Sequence, residues 1–98
     1  MKFVLKFTPD ALDHLEKFRK HEQKIITEGM KKQLTYEPLT RTKNRKPLRH
    51  NPLSRWELRV EKYRVFYDVS EESGTVEIKA VGYKEHNILF INEKEFAI

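Results

Sequence analysis

The chain has 98 residues, 20 Lys and Arg against 15 Asp and Glu, four His and no Cys. That length supports one domain, residues 1–98, with a core burying roughly two-thirds of the unfolded surface. The lack of cysteine excludes a disulfide framework, a thiolate zinc site and a Cys nucleophile. No apolar run approaches a membrane span and no signal-peptide pattern opens the chain, so the expectation is a cytoplasmic protein without membrane association.

Lys2 to Phe7 alternates, with Phe3, Leu5 and Phe7 on one face, as a half-buried strand does. Thr8-Pro9-Asp10 then opens a helix. Thr8 is a capping residue, Pro9 suits the first helical position, and Asp10 complements the positive helix end. Leu12, Leu15 and Phe18 form the expected apolar stripe, with Ala11 beside it, and the helix is placed to end near Lys20. A second helix is expected from about Glu22 to Tyr36, with Ile25, Ile26, Met30 and Leu34 on one face. Gly29 lies within that stripe, where it costs about 1 kcal/mol relative to Ala. The two helices make a hairpin able to cover one face of a sheet.

Residues 37–54 read as a long connection holding three of the four prolines, Pro38, Pro47 and Pro52. A structureless stretch of this length in a small domain is unusual and often functional. It has no acidic residue between Pro38 and Arg55. From Arg41 to Arg64 there are nine basic residues and two acidic ones, a balance of +7 against +5 for the whole chain. Such clustering implies a polyanionic partner. A flexible basic linker is the plainer alternative.

Trp56 to Val69 carries the strongest pattern. Trp56, Leu58 and Val60 alternate with Glu57 and Arg59. After Glu61-Lys62, Tyr63, Val65, Tyr67 and Val69 alternate with Arg64, Phe66 and Asp68. This predicts an antiparallel hairpin whose turn type is open. It puts Arg59 and Arg64 on the non-core face, where two guanidinium forks can converge on phosphate. Arg64 is expected to lie at the surface, so that its removal changes stability by no more than about 0.5 kcal/mol.

Ser70 to Gly74 reads as a turn and Thr75 to Val81 as the third strand of a meander, with Val76, Ile78 and Ala80 inward. Gly82 to Asn87 is expected to leave the sheet. Ile88 to Ile98 is expected as a short helix or irregular segment docked on the sheet edge.

The pattern Trp56-x-Leu58-Arg59-x-x-x-Tyr63-Arg64-Val65-x-Tyr67-x-Val69, followed by Val81-Gly82-x-Lys84 and an apolar tail, resembles the RelE/ParE superfamily of type II toxin–antitoxin toxins over essentially the whole chain. The resemblance implies an α+β, microbial-RNase-like fold: an N-terminal strand, a two-helix hairpin, a three-stranded antiparallel meander and a short C-terminal segment. It also implies a cognate antitoxin as partner. RelE-type members cleave messenger RNA on the ribosome and inhibit translation; ParE-type members inhibit DNA gyrase. Arg64 matches the arginine that RelE-type toxins place at the scissile phosphate. Arg59 falls near a family lysine, and Lys84 falls where those toxins carry a second arginine. Glu57 departs from the pattern, standing where RelE-type toxins have another lysine. Phe90 falls near the tail tyrosine that stacks on RNA and lacks its hydroxyl.

Metal-independent RNA cleavage needs a proton acceptor for the 2′-OH, a donor for the leaving 5′ oxygen, and fixed cations around the phosphorane-like transition state. Arg64, Arg59 and Lys84 are the candidate cations, and His86 and His50 the candidates for proton transfer because histidine titrates near neutrality. Glu57 is a further candidate base if it is desolvated. Arg41, Lys43, Arg45, Lys46, Arg49 and Arg55 are the candidate phosphate contacts, and Tyr83, Phe66 and Phe90 the candidate stacking rings. No ligand spacing for a metal and no Gly-rich phosphate loop is present, so no cofactor is expected. The readings left open are a ribosome-dependent endoribonuclease, a gyrase-type inhibitor, and a degenerate RNA-binding module.

Overall fold

A computed structural model describes residues 1–97. Its elements run β1 (Val4–Phe7), α1 (Pro9–Glu16), α2 (Lys20–Leu34), β2 (Arg45–Pro47), β3 (Trp56–Val60), β4 (Tyr63–Ser70), β5 (Thr75–Glu85), β6 (Ile88–Ile91) and β7 (Lys94–Glu95). The fold is α+β. Strands β2 to β7 follow one another across the sheet in antiparallel order, and β1 joins β5 in parallel. β5 is long enough to serve two neighbours along one edge. Residues 75–78 pair with β1, and residues 82–85 pair with β6.

The helix caps form as local chemistry dictates. The Ala11 N–H donates to Thr8 Oγ1 at 3.1 Å, and Pro9 opens α1. Glu22 accepts from the Arg19 N–H at 3.2 Å and fixes the start of α2. Both helices lie over one sheet face. Leu15, Ile26, Met30, Leu58, Val65 and Ile78 share one core there, with Phe18 packed against it. Leu12, placed in the α1 stripe by its spacing, is instead 46% exposed, and Ala11 beside it is fully buried. Helix α1 is only eight residues long, so a single line of contacts, Ala11 and Leu15, meets the sheet.

Three further expectations are corrected. The connection over residues 37–54 is not structureless: Arg45–Pro47 pairs with Trp56–Leu58 as an edge strand. Gly82 to Glu85 stays in the sheet, and the tail forms strands β6 and β7 rather than a helix or irregular segment. His86-Asn87 and Asn92-Glu93 are two-residue loops with positive φ at both positions (52° and 66°, 56° and 66°). That is the mirror-image turn that matches the twist of paired strands. Ile98, the last residue of the expected tail, lies outside the described residues.

Ala80 does not follow Val76 and Ile78 inward. Phe66 pairs with Ala80 while Tyr67 pairs with Ile78, leaving Lys79 as an extra residue on β5. This β-bulge shifts the alternation by one. Ala80 and Phe66 then join Leu89 and Ile91 in a second buried cluster on the face opposite the helices. Leu48 and Leu53 from the proline-rich connection, and Phe96 from the tail, close over it. Phe66 is therefore fully buried and is no stacking platform. Helix α1 occupies the backbone groups around the bulge. Thr8 Oγ1 donates to the Lys79 carbonyl at 3.4 Å, and the Val81 N–H donates to His14 Nδ1 at 3.3 Å. Among the described residues no helix is long and apolar enough to cross a membrane.

Candidate nucleic-acid interface

The charged residues of the hairpin and of the connection meet on the face opposite the helices. Strand pairing sets Arg59 directly across from Arg64, and Lys46 across from Glu57. Like charges directly opposite one another destabilise a sheet, so the arginine pair costs stability in the unliganded chain. Lys43, Lys46, Glu57, Arg59, Arg64 and Lys84 line a depression of about 150 Å³. It adjoins a larger one of about 580 Å³, which shares Lys46, Glu57 and Lys84 and adds Arg41, Arg49 and Phe96. Together they form one basic groove floored by the sheet.

Arg64 is not the surface residue its alternation suggests. It is 6% exposed, with its guanidinium turned in against backbone carbonyls and a carboxylate. Its Nη1 donates to the carbonyls of Glu61 and Tyr63, both at 2.9 Å. Its Nε lies 3.4 Å from Glu57 Oε1. Burial lowers the Arg64 pKa, the nearby charge of Arg59 lowers it further, and Glu57 opposes both. A guanidinium stays protonated at neutral pH through such a shift. Glu57 is itself 5% exposed, and its Oε2 lies 3.7 Å from the Lys46 ammonium.

Of the expected phosphate contacts, Arg41, Lys43, Lys46 and Arg49 line the groove, as do Arg59, Arg64 and Lys84. Arg45 does not. It is 8% exposed, and its Nη1 donates to the Gln33 carbonyl at 2.5 Å, satisfying an acceptor at the end of α2. The strand period explains this, since the neighbours Arg45 and Lys46 of β2 point to opposite faces. His50 and Arg55 line a further depression of about 260 Å³ with Asp68 and Lys79, which meets the larger part of the groove at Leu48 and Arg49 but contains none of Arg59, Arg64 and Lys84. His86 occupies the exposed β5–β6 turn and lines neither part of the groove. Arg64 is thus not joined by either histidine expected to transfer its substrate's protons.

Tyr83 and Phe90 also lie elsewhere. They stack on each other with ring centres 5.3 Å apart on the helix side, and Phe18 meets Tyr83 edge-on at 6.2 Å. These rings line a pocket of about 200 Å³ with His14 and Glu22. Tyr63 Oη donates to Glu22 Oε2 at 2.6 Å. That bond holds the Glu22 carboxylate below its usual pKa, and burial raises the Tyr63 phenol to about 12. Burial likewise lowers the pKa of His14, against the pull of Asp10 and Asp13. The aromatic ring that reaches the basic groove is Phe96, beside Arg49 and Lys84. Sequence reasoning placed Phe96 only in an apolar tail, because its position depends on β6 and β7 folding back along β5. Among the described residues no group of three His, Asp or Glu side chains is gathered as a metal site.

Residues 5–88 match the family described as the ParE toxin of the type II toxin–antitoxin system, parDE. Among solved structures, the chain is similar to one in the crystal structure of the toxin–antitoxin complex RelBE2 from Mycobacterium tuberculosis. The two share 27% identity with a TM-score of 0.72, over 86% of this chain and all of the other. No curated protein matches. With a family match spanning more than four-fifths of its length and a fold shared with a toxin–antitoxin complex, the chain belongs to the ParE toxin family, within the RelE/ParE superfamily of type II toxins.

Proposed function

We propose that this toxin is restrained by a cognate antitoxin and, when released, binds messenger RNA on the ribosome in its basic groove and cleaves it without a metal, so inhibiting translation. The observation that carries this reading is the groove itself. Seven cationic side chains from four separate segments converge along one channel, with Phe96 at its wall. Cations spaced along a channel suit a polyanionic backbone, and an aromatic wall suits an unpaired base. The antitoxin is supported by the similar structure, which is a toxin–antitoxin complex. In cleavage, the 2′-OH attacks the adjacent phosphorus and loses its proton to water, and the 5′ oxygen leaves and takes a proton from water, giving a 2′,3′-cyclic phosphate and a 5′-OH. Arg64, Arg59 and Lys84 would stabilise the charge that accumulates on the phosphorane oxygens.

A second reading is a non-catalytic inhibitor of DNA gyrase. One observation favours it: His50 and His86 lie away from Arg64, and the groove's own carboxylate is engaged by Arg64 and Lys46. The ParE family match points the same way. Mapping RNA 5′ ends after induction, beside a supercoiling assay with purified gyrase, separates the two. New 5′ ends within translated frames, lost in Arg59→Ala, are expected. Growth arrest with intact messages and blocked supercoiling would replace the nuclease reading with the gyrase one.

A further inference from the structure

Among the described residues Glu57 is the one carboxylate lining the groove, and it lines both of its parts. Its oxygens are divided between two cations: Oε1 faces Arg64 Nε at 3.4 Å, and Oε2 faces Lys46 Nζ at 3.7 Å. Two cations closing on a planar pair of anionic oxygens is the arrangement that the two non-bridging oxygens of a phosphodiester would receive. We propose that Glu57 is an internal stand-in for backbone phosphate: it keeps Lys46 drawn toward the anchored Arg64 while the groove is empty, and an RNA phosphate takes its place on the two cations. This rests on the reading of the groove as an RNA site.

The physical reason lies in the cross-strand pair Arg59–Arg64, with Lys46 on the neighbouring strand. Without an anion between Arg64 and Lys46 these two cations repel, and the half-exposed Lys46 ammonium turns toward water. The carboxylate holds Lys46 toward the anchored Arg64, so less side-chain ordering remains to be done when RNA arrives. It also leaves a like charge beside the arriving phosphate, which weakens binding. Arg64 stays anchored without it, because Nη1 is held by the Glu61 and Tyr63 carbonyls. Glu57 is therefore a positioning residue that limits affinity, rather than one that supplies it.

The test is binding of a fluorescent single-stranded RNA with every 2′-hydroxyl methylated, so that it binds without being cut. Glu57→Gln should bind about tenfold more tightly than the parent. Its salt dependence should steepen by about 0.7 in log K against log salt, the value of one further neutralised phosphate on a single strand. The gain should shrink in a Lys46→Met background. A purely structural role for Glu57 would weaken binding instead. If the parent binds and folded Glu57→Gln binds no more tightly, this proposal is wrong while the groove reading stands. If neither binds, both fall. Should circular dichroism show Glu57→Gln unfolded, Glu57→Asp takes its place. A smaller gain is expected as the carboxylate retracts from Arg64, and unchanged or weaker binding overturns the proposal.

Discussion

Arg64 shows how far a single residue can be read from its neighbours. Alternation identified its face correctly, but not the burial of that face. Removing it leaves the Glu57 carboxylate buried with Lys46 alone, and breaking one side of a buried ion pair is strongly destabilising. Arg64→Ala should therefore cost about 3 kcal/mol in urea unfolding, in place of the 0.5 kcal/mol bound expected for a surface arginine. If the groove cleaves RNA, the same variant should lose roughly 10²–10³ in rate on ribosome-programmed message, the usual consequence of deleting a fixed group that stabilises transition-state charge. Arg64→Lys should recover part of the stability and little of the rate, because an ammonium cannot hold two carbonyls together with a carboxylate or with the phosphate that replaces it. Folded Arg64→Ala cleaving at the parent rate would exclude Arg64 from the chemistry.

At the scale of elements, the start of α1 was more legible than its end. The start of α1 was readable because Thr8-Pro9 acts through local bonds alone. The end of α1 was not: it stops at Glu16, and a turn leads into α2 at Lys20. The hairpin turn between β3 and β4 was open because it lacks the usual glycine. Glu61 adopts φ of 53° there, a left-handed conformation costly for a residue with a Cβ. Glu61→Gly should therefore raise stability by roughly 0.5–1 kcal/mol, the relief of strain exceeding the extra chain entropy of glycine. Thermal melting of the two proteins checks this, and a lower midpoint would show that the turn is not under strain. The turns His86-Asn87 and Asn92-Glu93 escaped notice for the same reason, with asparagine in place of glycine.

Across the whole molecule, the sheet is covered on both faces, by helices on one and by the proline-rich connection and tail on the other. The second cluster is as essential as the first. Phe66→Ala should cost about 3–5 kcal/mol, as emptying a core aromatic site does. Leu12→Ala, in the exposed part of the α1 stripe, should stay within about 0.5 kcal/mol. Comparable urea midpoints for the two variants would contradict a second core. A domain stabilised by only about 5–15 kcal/mol has little room for the loss of Phe66, so the basic groove depends on that cluster for its floor.

The sequence by itself determined the elements whose signals are local: the α1 cap, the two-helix hairpin, the β3–β4 hairpin, and the concentration of positive charge between Arg41 and Arg64. It was also sufficient to place the chain in its superfamily, because Trp56 to Val69 keeps both its spacing and its residue types. Only the tertiary structure decided which of those charges meet. The bulge at Lys79 reverses the faces of β5, so Lys84 reaches the groove while Tyr83 turns to the helices. The β2 edge strand directs Lys46 to the groove and Arg45 to the end of α2. The β6–β7 return sets Phe96, and not Phe90, beside Arg49 and Lys84. Each of these depends on a pairing register between segments distant in the chain. A shift of one residue exchanges the two faces of a strand, and no local pattern of residue types fixes that shift.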